Sequence, residues 1–392
     1  MSGIYLDNAA TTAVRREVFD AMQPYWMEQF GNPSSVYKLA RESKRAVDEA
    51  RAAVAGAIGA AANEVYFTGS GTEADNWAIK GVAEAYAQKG KHIITSCIEH
   101  HAVLHTCQYL EKQGFRVTYL PVDECGMVNP ADVEAAICED TILISIMCAN
   151  NEIGTIQPVE AIGRIAKAKN VLFHTDAVQA VGHVLIDVKA MHIDLLSLSA
   201  HKMYGPKGVG ALYMRKGIKL PSYLHGGAQE MKRRAGTENV PGIVGLGKAI
   251  SLCCAEREAE TARLAALRDR LITGILEKIP YARLNGHPTS RLPGNANISF
   301  EFIEGESILL MLDMKGIFAS SGSACTSGSL DPSHVLLAIG LPHEKAHGSV
   351  RMTFGVNNTE SDVDAVLEAL PAIVSRLRDM SPLYETFVKN QK

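Results

Sequence analysis

The feature that most limits the fold of this sequence is a train of short apolar runs, most of them followed by a stretch with helical periodicity. The runs are EVYFT (64–68), HIITS (92–96), RVTYL (116–120), TILISIM (141–147), VLFHT (171–175), DLLSLS (194–199) and GALYM (210–214). They are rich in β-branched and aromatic residues and short, as strands buried on both faces are. Helix-like stretches lie between them at 72–89, 101–113, 130–138 and 158–168. This alternation predicts an α/β fold with a mainly parallel sheet covered by helices on both faces. Near residue 255 the texture changes. Residues 255–278 read as one amphipathic helix, followed by the runs ANISFEF (296–302) and SVRMTF (349–354) and helical patterns at 305–315 and 360–378. At 392 residues the chain also exceeds the roughly 250–300 at which a single core stops growing. We therefore expect a large domain over 16–255, and a smaller α+β domain from 1–15 and 256–392.

Composition removes several function classes. The formal net charge is −4, without the clustered Lys and Arg that a general nucleic-acid binder needs. No apolar run has the ~18 residues of a membrane span. The start MSGIYLDNAATT has no basic region or long apolar stretch typical of a secretory signal. The eight cysteines are scattered and form no CxxC pair, a poor pattern for zinc or for a disulfide framework. We read them as reduced thiols of a cytoplasmic protein and expect no resident metal.

In doubly wound sheets, ligands bind at the carboxyl ends of the strands. Polar residues follow several of the runs. GSGTEADN (69–76) opens a helix after EVYFT, with Gly71 and Thr72 where backbone N–H groups and a hydroxyl could hold a phosphate. An ordinary helix cap would look the same. Asp176 follows VLFHT, and could pair with a protonated ring nitrogen or cap the next helix. Lys202 follows DLLSLS in AHKMYGPKGVG. A lysine at a buried strand end suits a covalent bond to a carbonyl cofactor, since desolvation lowers its pKa. The alternative is an exposed loop lysine. His100 in CIEHH, after HIITS, could stack on a planar ring and move protons, or simply start a helix. An amide in CANNE, after TILISIM, could bond a ring substituent or end the strand. A phosphate cradle, a ring stacker, an amide, an acid and a lysine on successive strand ends are the parts of a pyridoxal 5′-phosphate (PLP) site. Cys325 lies apart in SSGSACTSGSLDPS (320–333), a small, polar, glycine-rich stretch that should be mobile. A thiol there suits a nucleophile that visits two places. Arg351 opens a strand-like run and could clamp a carboxylate or form a surface ion pair.

With these residues in view, the sequence resembles the cysteine desulfurases of the NifS/IscS-like group. These belong to the class-V aminotransferases, among the fold-type I PLP enzymes. The specific stretches are GNPSS (31–35), GTEADN (71–76), EHHAV (99–103), NNEIGT (150–155), HTDAVQ (174–179), SAHKMYGPKGVG (199–210), RRAGTEN (233–239) and SSGSACTSGS (320–329). The resemblance implies that Lys202 holds PLP, Asp176 pairs with its ring nitrogen and Gln179 contacts its ring oxygen. His100 stacks on the ring and assists proton transfer, and Asn151 lies against cofactor and substrate, Asn150 being the weaker choice. Gly71, Thr72, Ser199 and His201 hold the phosphate, with Thr237 contributed by the partner of a homodimer. Arg351 binds the carboxylate of L-cysteine, and Cys325 takes its sulfur as a persulfide, touching a cluster transiently if at all. An iron–sulfur scaffold protein or another sulfur acceptor is the implied partner. The stretch 304–335 and the ending look closest to the nitrogen-fixation type. Three departures stand out: Ala200 replaces a usual glycine and would narrow the phosphate site slightly, while Tyr37 and Ala40 replace a usual histidine and glycine. A different PLP reaction on the same fold, such as an aminotransferase or selenocysteine lyase, and a non-enzymatic role in iron–sulfur assembly are the rival readings.

Overall fold

The structure is a computed structural model that describes residues 3–321 and 332–391. Its centre is a sheet of seven strands: β2 Val65–Thr68, β3 His92–Ser96, β4 Arg116–Leu120, β5 Thr141–Ser145, β6 Leu172–Asp176, β7 Leu195–Ser199 and β8 Gly210–Met214. Their order is β2-β8-β7-β6-β5-β3-β4. The pairings among β7, β6, β5, β3 and β4 are parallel, whereas β8 runs antiparallel to both β7 and β2. A parallel neighbour needs a crossover of a dozen or more residues. Only 200–209 separate β7 from β8, so the chain turns straight back.

The strands that read as unbroken apolar runs are buried on both sides. Neighbouring residues divide between two clusters, as the pleat requires. Phe67, Ile94, Ile144, Phe173 and Leu196 pack on one face. Tyr66, Ile93, Leu143, Leu195 and Leu212 pack on the other. A further core lies around Leu271, Ile298, Phe300, Leu312, Val350 and Leu370. It carries an antiparallel sheet of β9 Ala282–Leu284, β10 Asn295–Phe300 and β12 Ser349–Thr353, in the order β12-β10-β9.

Helix Val240–Lys278 runs through both regions for 39 residues. Its Ile243, Leu246 and Ile250 join the first cluster, and its Leu264, Leu271 and Ile275 the further core. The change of texture near 255 therefore reflects a change of surroundings within one helix. The N-terminal arm is tied down at two places. Its strand β1, Ile4–Tyr5, pairs in parallel with β11, Ile317–Phe318. Residues 9–12 then cross the carboxyl end of the large sheet, where Thr12 N–H donates to the His201 carbonyl at 3.0 Å.

Candidate active site

A cavity of about 470 Å³ opens at the carboxyl ends of the parallel strands. Gly71, Thr72, His100, Asn151, Asp176, Gln179, Ser199, His201, Lys202 and Arg351 all line it. They come from five strand ends and from β12, so the fold brings together positions spread over most of the chain. Thr237 does not line it. It borders a smaller cleft with Phe67, Gly208, Glu230 and Arg234. Cys325 lies outside the described residues.

The helix Gly71–Tyr86 begins at the cavity wall. Ser70 caps it, accepting from Glu73 N–H at 3.1 Å, and Glu73 turns away to Arg234 at 2.8 Å. An added Cβ on Gly71 would lie 2.6 Å from Val178 Cγ2, so glycine is needed for this approach. The helix N-terminus, with Thr72, Ser199 and His201, makes a donor-rich corner suited to an anion. Ala200 is not part of the cavity wall. It is wholly buried in the core, where an added Cβ on Gly205 would lie 2.9 Å from its Cβ. The expected narrowing of the phosphate corner by Ala200 therefore does not arise from its methyl group.

Lys202 is half-buried, not an exposed loop lysine. Its Nζ donates to the carbonyls of Ala9 at 2.5 Å and Ala10 at 2.7 Å. Gln179 Nε2 donates to the same Ala9 carbonyl at 3.0 Å, and Thr11 Oγ1 bonds His201 Nδ1 at 3.1 Å. The arm thus forms one wall of the site. Asp176 is buried, with Oδ1 accepting from Val178 N–H at 2.9 Å. Burial raises its pKa to about 6, against a lowering by Lys202. His100 both caps its helix and faces the cavity. Its Nδ1 accepts from Ala102 N–H at 3.1 Å. Burial, and then Lys202, press its pKa down to about 4. The ring is therefore neutral near pH 7, and with Nδ1 accepting, its proton sits on Nε2.

Arg351 is 2% exposed, which rules out a surface ion pair. Its Nη1 donates to the Asn151 carbonyl at 2.9 Å, and its Nη2 to Asp7 Oδ1 at 2.9 Å and Ser320 Oγ at 3.1 Å. The two adjacent asparagines divide the work. Asn150 is buried and scaffolds the turn, donating to the Ile98 carbonyl and accepting from the N–H groups of Glu152 and Ile153. Asn151 lines the cavity.

Three acids on the wall escaped the reading of the sequence: Asp75, Glu99 and Glu152. Burial pushes the Glu99 carboxyl up to about 8 and that of Glu152 to about 7. It pushes Asp75 well above the carboxylate range, reinforced by the nearby Asp176. Asp75 Oδ1 and Glu99 Oε2 are buried with no hydrogen-bond partner among the described residues. Their adjacency to Thr72, His100 and Asn151 was the only sequence signal, and acids near helix starts are more often solvated.

These residues fit PLP. The donor corner suits its phosphate, the partly exposed lysine its carbonyl carbon, and the carboxylate of Asp176 its ring nitrogen, whose protonation would relieve part of the crowding of acids.

Known proteins resemble the chain over most of its length. The family model described as Aminotransferase class-V matches residues 4–366. The chain belongs to the class-V aminotransferase family. Among its relatives, the cysteine desulfurase IscS of Methanosarcina thermophila is 65% identical over 380 residues, 97% of this chain and 94% of that one. A solved NifS-like protein superposes with a TM-score of 0.90 at 39% identity, covering 96% of this chain and 100% of the other. SspA in complex with cysteine gives a TM-score of 0.80 at 38% identity, covering 90% of this chain and 98% of SspA. Within the family, then, the chain falls among cysteine desulfurases, and PLP is its cofactor.

Proposed function

We propose that the protein converts L-cysteine to L-alanine and holds the sulfur as a persulfide on Cys325, for transfer to an iron–sulfur scaffold protein or another sulfur acceptor. The observation that carries this reading is the convergence of Lys202, Asp176, His100 and Arg351 on one cavity. The solved complex of SspA with cysteine supports the choice of substrate.

Lys202 holds the cofactor covalently, the Gly71–Thr72 corner with Ser199 and His201 holds its phosphate, and Gln179 meets its ring oxygen. When bound, PLP supplies an electron sink for the α-carbon of the substrate. The carboxylate of Asp176 keeps the ring nitrogen protonated. Arg351 binds the substrate carboxylate, and Asn151 lies beside it. Lys202 Nζ moves the proton at the α-carbon, and His100 Nε2 exchanges protons with the substrate thiol. The Cys325 thiolate attacks the substrate sulfur. An S–S bond forms as the C–S bond breaks, the electron pair stays with carbon, and that carbon is protonated to give alanine. The residues flanking the Cys325 segment touch the cavity wall on both sides: Ser320 is paired with Arg351, and Ser333 Oγ donates to Glu152 at 2.5 Å.

The working unit in this proposal is a cytoplasmic homodimer in which Thr237 completes the phosphate corner of the partner. Two observations favour it. Thr237 lies off its own cavity. Trp26, Met27, Phe30 and Val36 form an exposed apolar run in the N-terminal segment, 63–86% exposed. Among the described residues no helix is long and apolar enough to cross a membrane. Residues 16–255 act as the cofactor domain, with 1–15 and 256–392 as the domain carrying Cys325. Maturation of nitrogenase is the finer reading of the acceptor pathway.

The test is release of alanine and sulfide from L-cysteine with reductant, comparing wild type with Cys325→Ala. Equal amounts of both products from wild type, and their loss in the variant, are expected. An unchanged rate in Cys325→Ala would remove Cys325 from the reaction as the acceptor of sulfur.

A further inference from the structure

The geometry points to a second site, at the amino-terminal ends of the parallel strands, in which His92, Cys138 and Asp140 bind zinc or a similar divalent transition metal. Among the described residues these three bring their ligand atoms within 4.8 Å of one another. Cys138 Sγ lies 3.1 Å from His92 Nδ1 and 3.2 Å from Asp140 Oδ1. Tetrahedral zinc, with bonds of about 2.3 Å to sulfur and 2.0–2.2 Å to nitrogen or oxygen, holds its ligand atoms roughly 3.3–3.6 Å apart. Shifts of a few tenths of an ångström close that difference for these two pairs; the third pair, His92 and Asp140, lies within 4.8 Å and closes by rotation of the half-buried Asp140 side chain. Thiolate, imidazole and carboxylate are also the three donor types zinc prefers.

The surroundings hold the ligands for this use. His92 is buried at the start of β3, and its Nε2 bonds Thr118 Oγ1 at 2.8 Å. That outer contact orients the ring so that Nδ1 faces Cys138, as outer partners of metal-binding histidines do. Thr141 Oγ1 accepts from Cys138 N–H at 2.9 Å and fixes the loop carrying both other ligands. A water or the Thr141 hydroxyl, 2.7 Å from His92 Nδ1 and 3.2 Å from Cys138 Sγ, completes four donors.

The sulfur and the carboxylate already share a cation. Arg116 Nη2 lies 3.0 Å from Cys138 Sγ and 2.9 Å from Asp140 Oδ1. The Arg116 side chain is 55% exposed and can swing into solvent, giving its place to a divalent ion that binds the carboxylate and the sulfur, the thiol proton leaving to solvent. Arg116 is thus a built-in competitor. The site joins the starts of β3 and β5, which are paired at His92 and Thr141. It lies a strand length, roughly 17 Å, from the cavity, so its effect is on the stability of the sheet at the starts of β3 and β5. The ligand spacing hid it from the sequence: His92 and Cys138 are 46 residues apart and meet only because their strands are neighbours in the sheet.

The experiment uses Cys325→Ser holoenzyme throughout, which removes the other thiol with a claim on zinc. Zn2+ is bound by equilibrium dialysis in zinc-buffered solution, and Co2+ is added separately to look for a thiolate-to-metal charge-transfer band. The site requires one equivalent of zinc at micromolar free ion or below, and a higher melting temperature with zinc than without. Cys138→Ser and Asp140→Asn, at partly or fully exposed positions that leave the fold intact, should weaken zinc by about tenfold or more and abolish the cobalt band in the first case. Arg116→Gln should bind more tightly than its parent. No zinc bound at micromolar concentration, or equal zinc affinity in Cys138→Ser, overturns the assignment.

Discussion

Arg351 illustrates how much a single side chain is asked to do. Its guanidinium serves Asp7, Ser320 and the Asn151 carbonyl, and its Nε is buried with no partner among the described residues. A guanidinium has five N–H groups, so it can satisfy these three neighbours and still keep N–H groups for a substrate carboxylate, whereas an ammonium group, with three, cannot. In the proposed reaction Arg351 binds ground state and transition state alike. Arg351→Lys should therefore raise KM for L-cysteine roughly 10- to 100-fold, the equivalent of one charged hydrogen bond, with a smaller fall in kcat. Steady-state alanine release measures both, and an unchanged KM would exclude Arg351 as the carboxylate clamp. The role of this residue came from the resemblance, since its spacing alone favoured a surface ion pair, and it lies within β12 and not at its start. The roles of Glu99 and Asp75 could not be read from the sequence, because an acid just before a helix or in its second turn gives no sign of which way it points. Asn150 and Asn151 show the same limit: identical neighbours in sequence, one turned inward to Ile98 and the other to the cavity.

At the scale of elements, the site exists because strand ends are abrupt. β3 stops at Ser96, and within four residues the chain presents Glu99 and His100 to the cavity. Glu99 Oε1 accepts from Ser96 Oγ at 2.6 Å and Met147 N–H at 2.9 Å, bridging the ends of β3 and β5. Burial raises its pKa to about 8, while an unfolded glutamate titrates near ~4.3. Between these values the folded chain binds a proton that the unfolded chain lacks, so stability falls as pH rises through the window. Asp176 and Glu152 add to the fall at its lower end, up to about 6 and about 7. Glu99→Gln has no proton to lose. Between pH 7 and 8 the melting temperature of the cofactor-stripped variant should decline less than that of stripped wild type, Asp75 and Glu152 supplying what decline remains. Thermal melts across that range decide it, and parallel declines would mean that Glu99 is not the source. Most elements were legible because buried parallel strands read as bare apolar runs: β3, β4 and β8 fall at the expected 92–96, 116–120 and 210–214. The direction of β8 was in the sequence too, in the shortness of 200–209, but a run of apolar residues carries no sign of direction. The first half of helix Val240–Lys278 was hidden because it is apolar all round, which blurs the helical period on which the reading relied.

For the whole molecule, the contents of the cavity were easier to read from the chain than the way its walls are shared. Ten of the expected site residues meet in one cavity although they come from opposite ends of the chain: nine lie at strand ends of the large sheet, which converge, and Arg351 reaches in from β12. Thr237 belonged to no such pattern. Its place came from resemblance alone, and it lies in a cleft of its own chain beside Gly208, Glu230 and Arg234. The segment around it is held under strain, with Glu230, Met231 and Lys232 all at positive φ. Such a backbone costs of order 1–3 kcal/mol per residue and persists only where its surroundings over-determine it. Here the buried Glu230 is locked by Arg51 at 2.6 and 2.8 Å and by Phe67 N–H at 2.9 Å. A segment fixed this firmly, yet carrying its threonine away from its own cavity, is suited to presenting that threonine to another subunit. The proposed dimer can be tested by mixing damaged subunits. Thr237→Ala alone should bind PLP more weakly, and Lys202→Ala alone should be inactive. In a hybrid of the two, one site carries both defects and the other carries neither. Co-expressed and separated by distinct tags, the hybrid should recover about half of wild-type activity per dimer, at wild-type PLP affinity. A hybrid whose remaining activity keeps the weak PLP affinity of Thr237→Ala would place Thr237 in its own site and remove the reason for sharing it.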